Sequence, residues 1–341
     1  MTVNDPFGAA ADPDLPTVAL ALDPEEVEAE FKHGLQRLAG ENGFVKLKSI
    51  TVVRHKPGRR CLIEYDVRIE RPSASRQKAT LIGKVRTRRF GNEGYRLLDA
   101  VWNAGFTADS SDRISTPEPI GVIPRFRMWL QRKMPGVEAT LLLPERDGAA
   151  LATRIADAIH KLHIAEVPTR RRHTMTDELR ILHECLPLVA QSKPKLGRRI
   201  GRLLAASDRL GASVPLPKPC GIHRDFYPAQ VLVHKRRVFL LDFDLYCRGD
   251  AALDPGNFLG HVIELSLRQL GDPYALADCA RAMEERFVEL AGASTRPAIR
   301  AYTTLTLVRH VYLSTQFSER APWTEALLEL CEHRFGDYLR D

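Results

Sequence analysis

Two aspartates sit in settings that ordinary surface carboxylates do not have. Asp225 lies in His223-Arg224-Asp225-Phe226-Tyr227-Pro228-Ala229-Gln230, and Asp242 follows seventeen residues on in Leu240-Leu241-Asp242-Phe243-Asp244. Between them, two short apolar runs at 231–233 and 238–241 flank His234-Lys235-Arg236-Arg237, the pattern of a β-hairpin. Such a hairpin carries the two acids on neighbouring ends of one ribbon. An H-x-D triplet alone is a weak signal, but H-x-D, an amide five residues after the Asp, an apolar strand and D-F-D in this order are specific. Phosphoryl transfer needs a group that orients and deprotonates the attacking hydroxyl, together with oxygen ligands for a Mg²⁺ ion on the phosphates; two acids on one hairpin supply both.

These motifs, between His223 and Asp254, resemble the aminoglycoside phosphotransferase and choline kinase-like superfamily, which is related to the protein kinases, and the likeness extends from the first hairpin to the C-terminal helices. The resemblance implies an α+β, bilobal protein-kinase-like fold, with a small antiparallel-sheet N-lobe carrying one main helix and a larger, mainly helical C-lobe. It implies ATP, or alternatively GTP, with Mg²⁺ as cofactors. Asp225 is then the catalytic base, with His223 beside it in the catalytic set, and Asp242 is the principal Mg²⁺ ligand. The family usually has Asn where this chain has Gln230, so Gln230 is the implied second ligand, with one extra methylene and either one or two ions. Arg224 stands where the family often has Gly and where protein kinases have Arg. Downstream, Gly249-Asp250-Ala251-Ala252-Leu253-Asp254-Pro255 is similar to the family's G-D-x-x-x-D element, which implies that Asp254 braces the catalytic loop. Asp254 followed by Pro255 also reads as an N-cap and first-turn pair; Asp250 is left between bracing and solvent exposure.

The nucleotide also needs a cation. Strand alternation puts Lys84 and Ile82 on one face of a strand and Leu81, Gly83 and Val85 on the other. In kinase-like families such a lysine holds the α- and β-phosphates and is fixed by a glutamate on the following helix, so the expected partner is Glu93, with Asp99 second. Adenine is expected at backbone groups near Arg132 to Met134. Lys56-Pro57-Gly58-Arg59-Arg60 takes the place of a phosphate-covering loop without being a G-x-G-x-x-G motif.

The elements that must position these residues are legible in outline. A helix is expected over 24–38, then strands over 45–54, 61–69 and 79–85 separated by turns at 55–58 and 71–77. A helix capped by Asn92 and stopped by Gly105 follows, then strands at 119–123 and 128–133. Met134-Pro135-Gly136 punctuates the end of this region. The expected organisation is a flexible tail over 1–20, an N-lobe over 21–133 and a C-lobe over 134–341. Beyond the boundary apolar stripes such as Leu151, Ile155, Ile159 and Leu162, and Leu179, Leu182, Leu186 and Val189 behind a Thr176 cap, predict helices. Helical stretches over 173–210 and 262–339 suit an acceptor site built on the C-lobe.

Composition narrows the class. The 341 residues, 44% hydrophobic and 27% charged, suit a globular chain of two packed units. No apolar run approaches the roughly 20 residues of a membrane span, and the first residues carry Asp and Pro where a leader has basic and apolar ones, so a cytoplasmic location is expected. Six scattered cysteines without C-x-x-C spacing argue against a disulfide framework or a cysteine zinc site, and His160 and His163 are spaced by three where zinc helices use four. The net charge of +7 is concentrated: residues 54–89 hold 12 Lys/Arg against 3 Asp/Glu. Aromatic residues for base stacking are sparse there, so no nucleic-acid partner is expected. From residue 264 to the end, 12 acids face 9 bases, short of the acidic cluster that a polycationic acceptor calls for. The expected function is transfer of a γ-phosphoryl group to a hydroxyl of a small molecule: antibiotic, sugar, amino alcohol or nucleoside. The alternatives are a catalytically weak nucleotide-binding regulatory protein, which Gln230 favours, and a protein kinase. Only twelve residues separate Asp242 from Asp254, which leaves little room for the peptide-docking segment of a protein kinase.

Overall fold

The computed structural model describes residues 1–40, 43–71, 74–86 and 92–336. The chain divides into two compact units, Met1–Pro135 and Gly136–Asp341.

In the first unit, β1 (Thr2–Asn4), α1 (Thr17–Leu22), α2 (Pro24–Gly34) and α3 (Gln36–Ala39) precede three long strands, β2 (Phe44–Lys56), β3 (Arg60–Arg71) and β4 (Ala74–Arg86). Helix α4 (Glu93–Asn103), the two-residue β5 (Ile114–Ser115), β6 (Pro119–Ile123) and β7 (Met128–Arg132) complete it. Six strands form one sheet in the order β1-β2-β3-β4-β7-β6. One face is apolar at every second position: Cys61, Ile63, Tyr65, Val67 and Ile69 of β3 and Leu81 and Val85 of β4 are buried with Val18, Leu22, Val27 and Phe31 of the N-terminal helices. Gly83 belongs to this face, where a Cβ would lie 2.3 Å from Met128 Sδ and 2.9 Å from the Tyr65 ring. Only glycine lets the sheet close there.

The segment expected as a flexible tail is built into this core instead. β1 pairs in parallel with β2, and Ala9, Leu15 and Val18 are fully buried. Asp12 ties the segment to the first turn: its carboxylate accepts from Gly58 N at 2.9 Å and meets His55 Nε2 at 2.8 Å. The strands also run longer than their apolar alternation, because ladder bonds continue through charged residues. Residues 72 and 73, within the expected turn at 71–77, lie outside the described residues. Asn92 occupies the N-cap position of α4, but its side chain makes no capping bond.

The second unit is mainly helical: α5 (Ala139–Leu142), α6 (Gly148–Ile164), α7 (Met175–Ser192), α8 (Gly197–Ser213), α9 (Leu253–Leu270), α10 (Ala277–Ala291), α11 (Arg296–Thr315) and α12 (Thr324–Phe335). The expected helical stretch at 262–339 runs past residue 336 into residues outside those described. Among the described residues five short strands interrupt the helices: β8 (Val137–Glu138), β9 (Cys220–Ile222), β10 (Val231–His234) with β11 (Arg237–Leu240), and β12 (Cys247–Gly249). Helix α7 is capped by Thr174, not Thr176, in a reciprocal capping box with Asp177. Leu186, Leu203, Val308, Leu327 and Leu328 form a core shared by α7, α8, α11 and α12. Helices α9 and α11 approach closely because Gly256 and Gly260 share a face; a Cβ on them would lie 2.5 Å from Tyr302 Cβ and 2.6 Å from Thr306 Cβ. Among the described residues no helix is long and apolar enough to cross a membrane.

Candidate active site

The hairpin forms as expected, with Val231 opposite Leu240 and His234 opposite Arg237. Its open end sets the site: Leu241 N donates to Gln230 O at 2.9 Å, so Gln230 and Asp242 leave the ribbon side by side. Asp242 follows with φ 56 and Arg224 has φ 71, both in the left-handed region that costs a side chain energy. Asp242 is itself a motif aspartate and Arg224 directly precedes the other, Asp225.

Asp254 is the anchor. It is fully buried, and its carboxylate accepts from His223 N and Arg224 N, each at 2.7 Å, and from His163 Nε2, also at 2.7 Å. It lies in the first turn of α9 without capping it, since the helix starts one residue earlier with Ala252 as N-cap. Asp250 is buried and takes up that duty: it accepts from Ala252 N at 2.9 Å. Burial pushes its carboxyl above the ordinary value, against the Ala252 amide and the Tyr302 hydroxyl. Asp250 therefore braces the start of α9.

His223, expected in the catalytic set, is fully buried. Its ring is buried against Phe226 and Phe243, and Nε2 meets Leu241 O at 2.7 Å. This bond ties the loop that carries Asp225 to the strand end that carries Asp242, so His223 is a positioning residue. Phe226 packs on Phe258 and is buried, whereas Asp225 and Tyr227 on either side are half-buried. Tyr227 is extended, with φ −148 and ψ 166, so alternation points Asp225 and Tyr227 the same way, opposite Phe226. Among the described residues no hydrogen bond or ion pair reaches the Asp225 carboxylate.

A second set of supports was not legible in the sequence. Asn257 Nδ2 donates to Phe226 O at 2.9 Å, and Arg309 donates to Asn257 Oδ1 at 2.5 Å. Arg309 also stands 3.5 Å from Glu178, whose other oxygen meets His173 Nε2 at 2.5 Å. Burial works against the Glu178 carboxylate, but His173, Arg309 and the nearby Arg224 hold it below its ordinary value. Asn257 and His261 on α9 face Thr306 and His310 on α11, and each pair has the i, i+4 spacing of one helical face. His163 serves Asp254 through Nε2, and no cluster of three or more His, Cys, Asp or Glu placed to hold a metal occurs among the described residues. The cysteines are unbridged, and burial pushes Cys61 and Cys247 up to about 12.

In the first unit, Lys84 and Ile82 are half-buried on the face opposite Leu81 and Val85, as alternation requires. Lys84 Nζ lies 4.7 Å over the Trp129 ring, its cross-strand neighbour. Glu93 opens α4, whereas Asp99 is taken by Arg37 at 2.5 Å and so is not held for Lys84. Arg132 N donates to Glu118 O at 2.9 Å and Lys133 N to Thr80 O at 2.8 Å, while the Met134 N–H has no partner among the described residues. That stretch borders a hollow of about 750 Å³ lined by Lys48, Arg68, Lys78, Arg132 and Lys133 with Asp66, which gathers part of the basic region. The Gly58 amide is already bound to Asp12, so the first turn does not present it to a phosphate.

Residues 89–287 match the model of the phosphotransferase enzyme family. No curated protein matches the chain in sequence. Among solved structures, a choline/ethanolamine kinase family protein from Mesorhizobium loti is 14% identical with a TM-score of 0.55, over 93% of this chain and 97% of that one. A glucosamine kinase in complex with glucosamine, ADP and inorganic phosphate is 15% identical with a TM-score of 0.57, over 93% of this chain and 87% of that one. A thermostable mutant of aminoglycoside phosphotransferase APH(4)-Ia, in a ternary complex with AMP-PNP and hygromycin B, is 15% identical with a TM-score of 0.53, over 92% and 97%. At these identities the likeness shows the fold: α+β and protein-kinase-like, with the sheet in the N-terminal unit and the helices in the C-terminal one.

Proposed function

The chain belongs to the phosphotransferase enzyme family, and from that premise we propose that it transfers the γ-phosphoryl group of ATP to a hydroxyl of a small molecule. The observation that carries this is the presentation of Asp225: a half-buried carboxylate without a protein partner among the described residues, on a loop clamped by Asp254 and tied through His223 to the strand end that bears Asp242. A carboxylate so held accepts the proton of an attacking hydroxyl without first breaking another bond.

Asp242 and the side-chain oxygen of Gln230 are the ligands for Mg²⁺. Both are hard oxygen donors, the class this ion prefers, and Gln230 turns its nitrogen towards the Tyr227 hydroxyl at 3.4 Å, which leaves its oxygen available. Bound there, Mg²⁺ supplies neutralisation of phosphate charge. In the first unit, Lys84 is the cation for the α- and β-phosphates, Ile82 packs on adenine, and the Met134 amide donates to it. Glu93 is the partner that fixes Lys84. The chain's own contribution is placement and charge, which supply most of the acceleration in this chemistry. Glucosamine and hygromycin B, bound by the neighbours above, indicate the size of acceptor such folds take.

The test is ADP release from Mg-ATP across a panel of alcohols, with Asp242→Ala beside the parent protein. Asp242→Ala is expected to weaken Mg-nucleotide binding by at least about tenfold. Nucleotide binding without ADP release for any acceptor, with Mg²⁺ or Mn²⁺, favours the regulatory reading that Gln230 suggests.

A further inference from the structure

The sheet of the first unit carries a row of like charges that the phosphate chemistry does not use. In the register of β2, β3 and β4, Lys46 lies opposite Arg68, and Arg68 lies opposite Lys78. Side chains so placed leave the sheet roughly 5 Å apart, and like charges directly opposite one another destabilise it. Lys48 joins them at the irregularity between Leu47 and Ser49. Together with Arg68 and Lys78 it lines the hollow of about 750 Å³ beside residues 132–135, a volume in the range of small-molecule sites.

The protein's own acids do not neutralise this row. Asp66 is the one acid lining the hollow among the described residues, and it is taken by two hydroxyls, those of Ser49 at 2.8 Å and Thr80 at 2.6 Å. Glu70, two residues beyond Arg68 on the same strand face, meets Arg76 at 3.5 Å. The other two cations of the lining are already paired, Arg132 with Glu118 at 2.8 Å and Lys133 with Glu64 at 2.7 Å. Among the described residues no hydrogen bond or ion pair reaches Lys46, Lys48, Arg68 or Lys78. Arg68 is half-buried where the three lysines are exposed, which makes its guanidinium the most confined of the four charges.

The row is also remote from the lysine assigned above to the nucleotide phosphates: Lys78 precedes Lys84 by six residues on the same face of β4, about 20 Å at roughly 3.3 Å per residue. We propose that this hollow is a separate anion site, which takes a small soluble molecule bearing two or more phosphate groups, held by Arg68 with Lys48 and Lys78. The guanidinium offers a fork for phosphate oxygens and the lysines add point charges. Three cations, four with Lys46, call for more charge than one phosphate group carries, about −2 at neutral pH. No aromatic ring lines the hollow for base stacking, and a concavity of this volume encloses a small molecule where a nucleic-acid strand or a membrane needs a continuous surface.

Calorimetric titration of the full-length protein with inorganic triphosphate, in EDTA and at 150 mM salt, tests the site; inorganic phosphate is the single-phosphate comparison. Saturable binding of triphosphate is expected, at least about tenfold tighter than that of phosphate, with a rise in Tm that follows its concentration. Arg68→Gln is expected to weaken it about tenfold or more and Arg68→Lys to restore part of the loss. Lys78→Gln, at an exposed position, should weaken it as well, whereas Lys84→Gln and saturation with Mg-AMP-PNP should leave it unchanged. No saturable binding, or binding that Arg68→Gln and Lys78→Gln both leave intact, overturns the proposal. Loss of triphosphate binding on Lys84→Gln or under Mg-AMP-PNP also overturns it, because the anion then belongs to the nucleotide's place. An RNA oligonucleotide or phosphatidylserine vesicles that bind through Arg68 and are not displaced by triphosphate would overturn the choice of a small ligand. None of these readouts requires turnover, so the anion site and the phosphotransferase reading can fail independently.

Discussion

Replacing Asp254 by Asn keeps size and shape but removes the acceptor capacity on which the catalytic loop rests. The carboxylate uses both oxygens: one for Arg224 N, the other for His223 N and His163 Nε2. An amide has one oxygen, so whichever way it turns, a buried N–H is left facing an NH₂ group. The orphaned donor costs roughly 1–3 kcal/mol, and the remaining bonds fall from charge-assisted to neutral strength, about half. The sum is about 3 kcal/mol or more, and it falls on the residue, Arg224, whose φ of 71 already needs external support. For a unit the size of Gly136–Asp341 this corresponds to a fall of roughly 6–12 °C in Tm. If the same energy frees the loop in the native state, transfer falls by about a hundredfold in kcat, with the KM for ATP little changed. Differential scanning calorimetry of the full chain and ADP-release kinetics read the two effects, with His163→Phe as the milder comparison that removes one bond and keeps both loop amides satisfied. A Tm within about 2 °C of the parent for Asp254→Asn would refute the reasoning.

Acid should weaken the helical unit early. His310 and His261 are held neutral, so the unfolded chain binds protons below its ordinary histidine value of 6.5 that the folded chain refuses; stability is whole above that pH and declines as pH falls towards 3. Each imidazole contributes a slope of up to about 1.4 kcal/mol per pH unit, so urea midpoints at pH 7.5 and 5.5 should differ, and His310→Gln should narrow the difference; an unchanged difference would contradict the assignment. At the other end of the chain, Asp12→Ala should release the turn at 55–60 at a cost of roughly 1–3 kcal/mol, seen as faster hydrogen exchange at Gly58, and unaltered protection there would show that the N-terminal segment does not hold the turn.

The parts of the site that sequence made legible are those set by local spacing. Asp225, Gln230 and Asp242 are related by one hairpin whose period-two pattern and polar turn survive in a single sequence, and Lys84 is placed by strand alternation alone. His163, Asn257 and Arg309 were illegible because helices distant in sequence bring them to the loop. Their signal was a polar residue on an apolar stripe: His163 follows Leu162 on the buried face of α6, and Asn257 and His261 follow Gly256 and Gly260. The stripe itself reads as core, and only the tertiary contact reveals that the polar member has a partner. His223 was assigned to the chemistry by its motif, yet its ring is buried in an aromatic cluster, which spacing does not show. The first 20 residues were missed for another reason: β1, α1 and the turn around Ala9 are each shorter than the window in which periodicity can be seen, and their burial depends on a sheet that they do not encode.

The central claim is that Asp225 is the base, and transfer of the labelled γ-phosphoryl group of ATP by Asp225→Asn tests it most directly. The account predicts a fall of about a hundredfold or more in transfer to an acceptor that the parent protein phosphorylates, with the Kd for Mg-ATP within about twofold of the parent. Transfer that persists near the parent rate would contradict it, as would nucleotide binding that is lost together with activity.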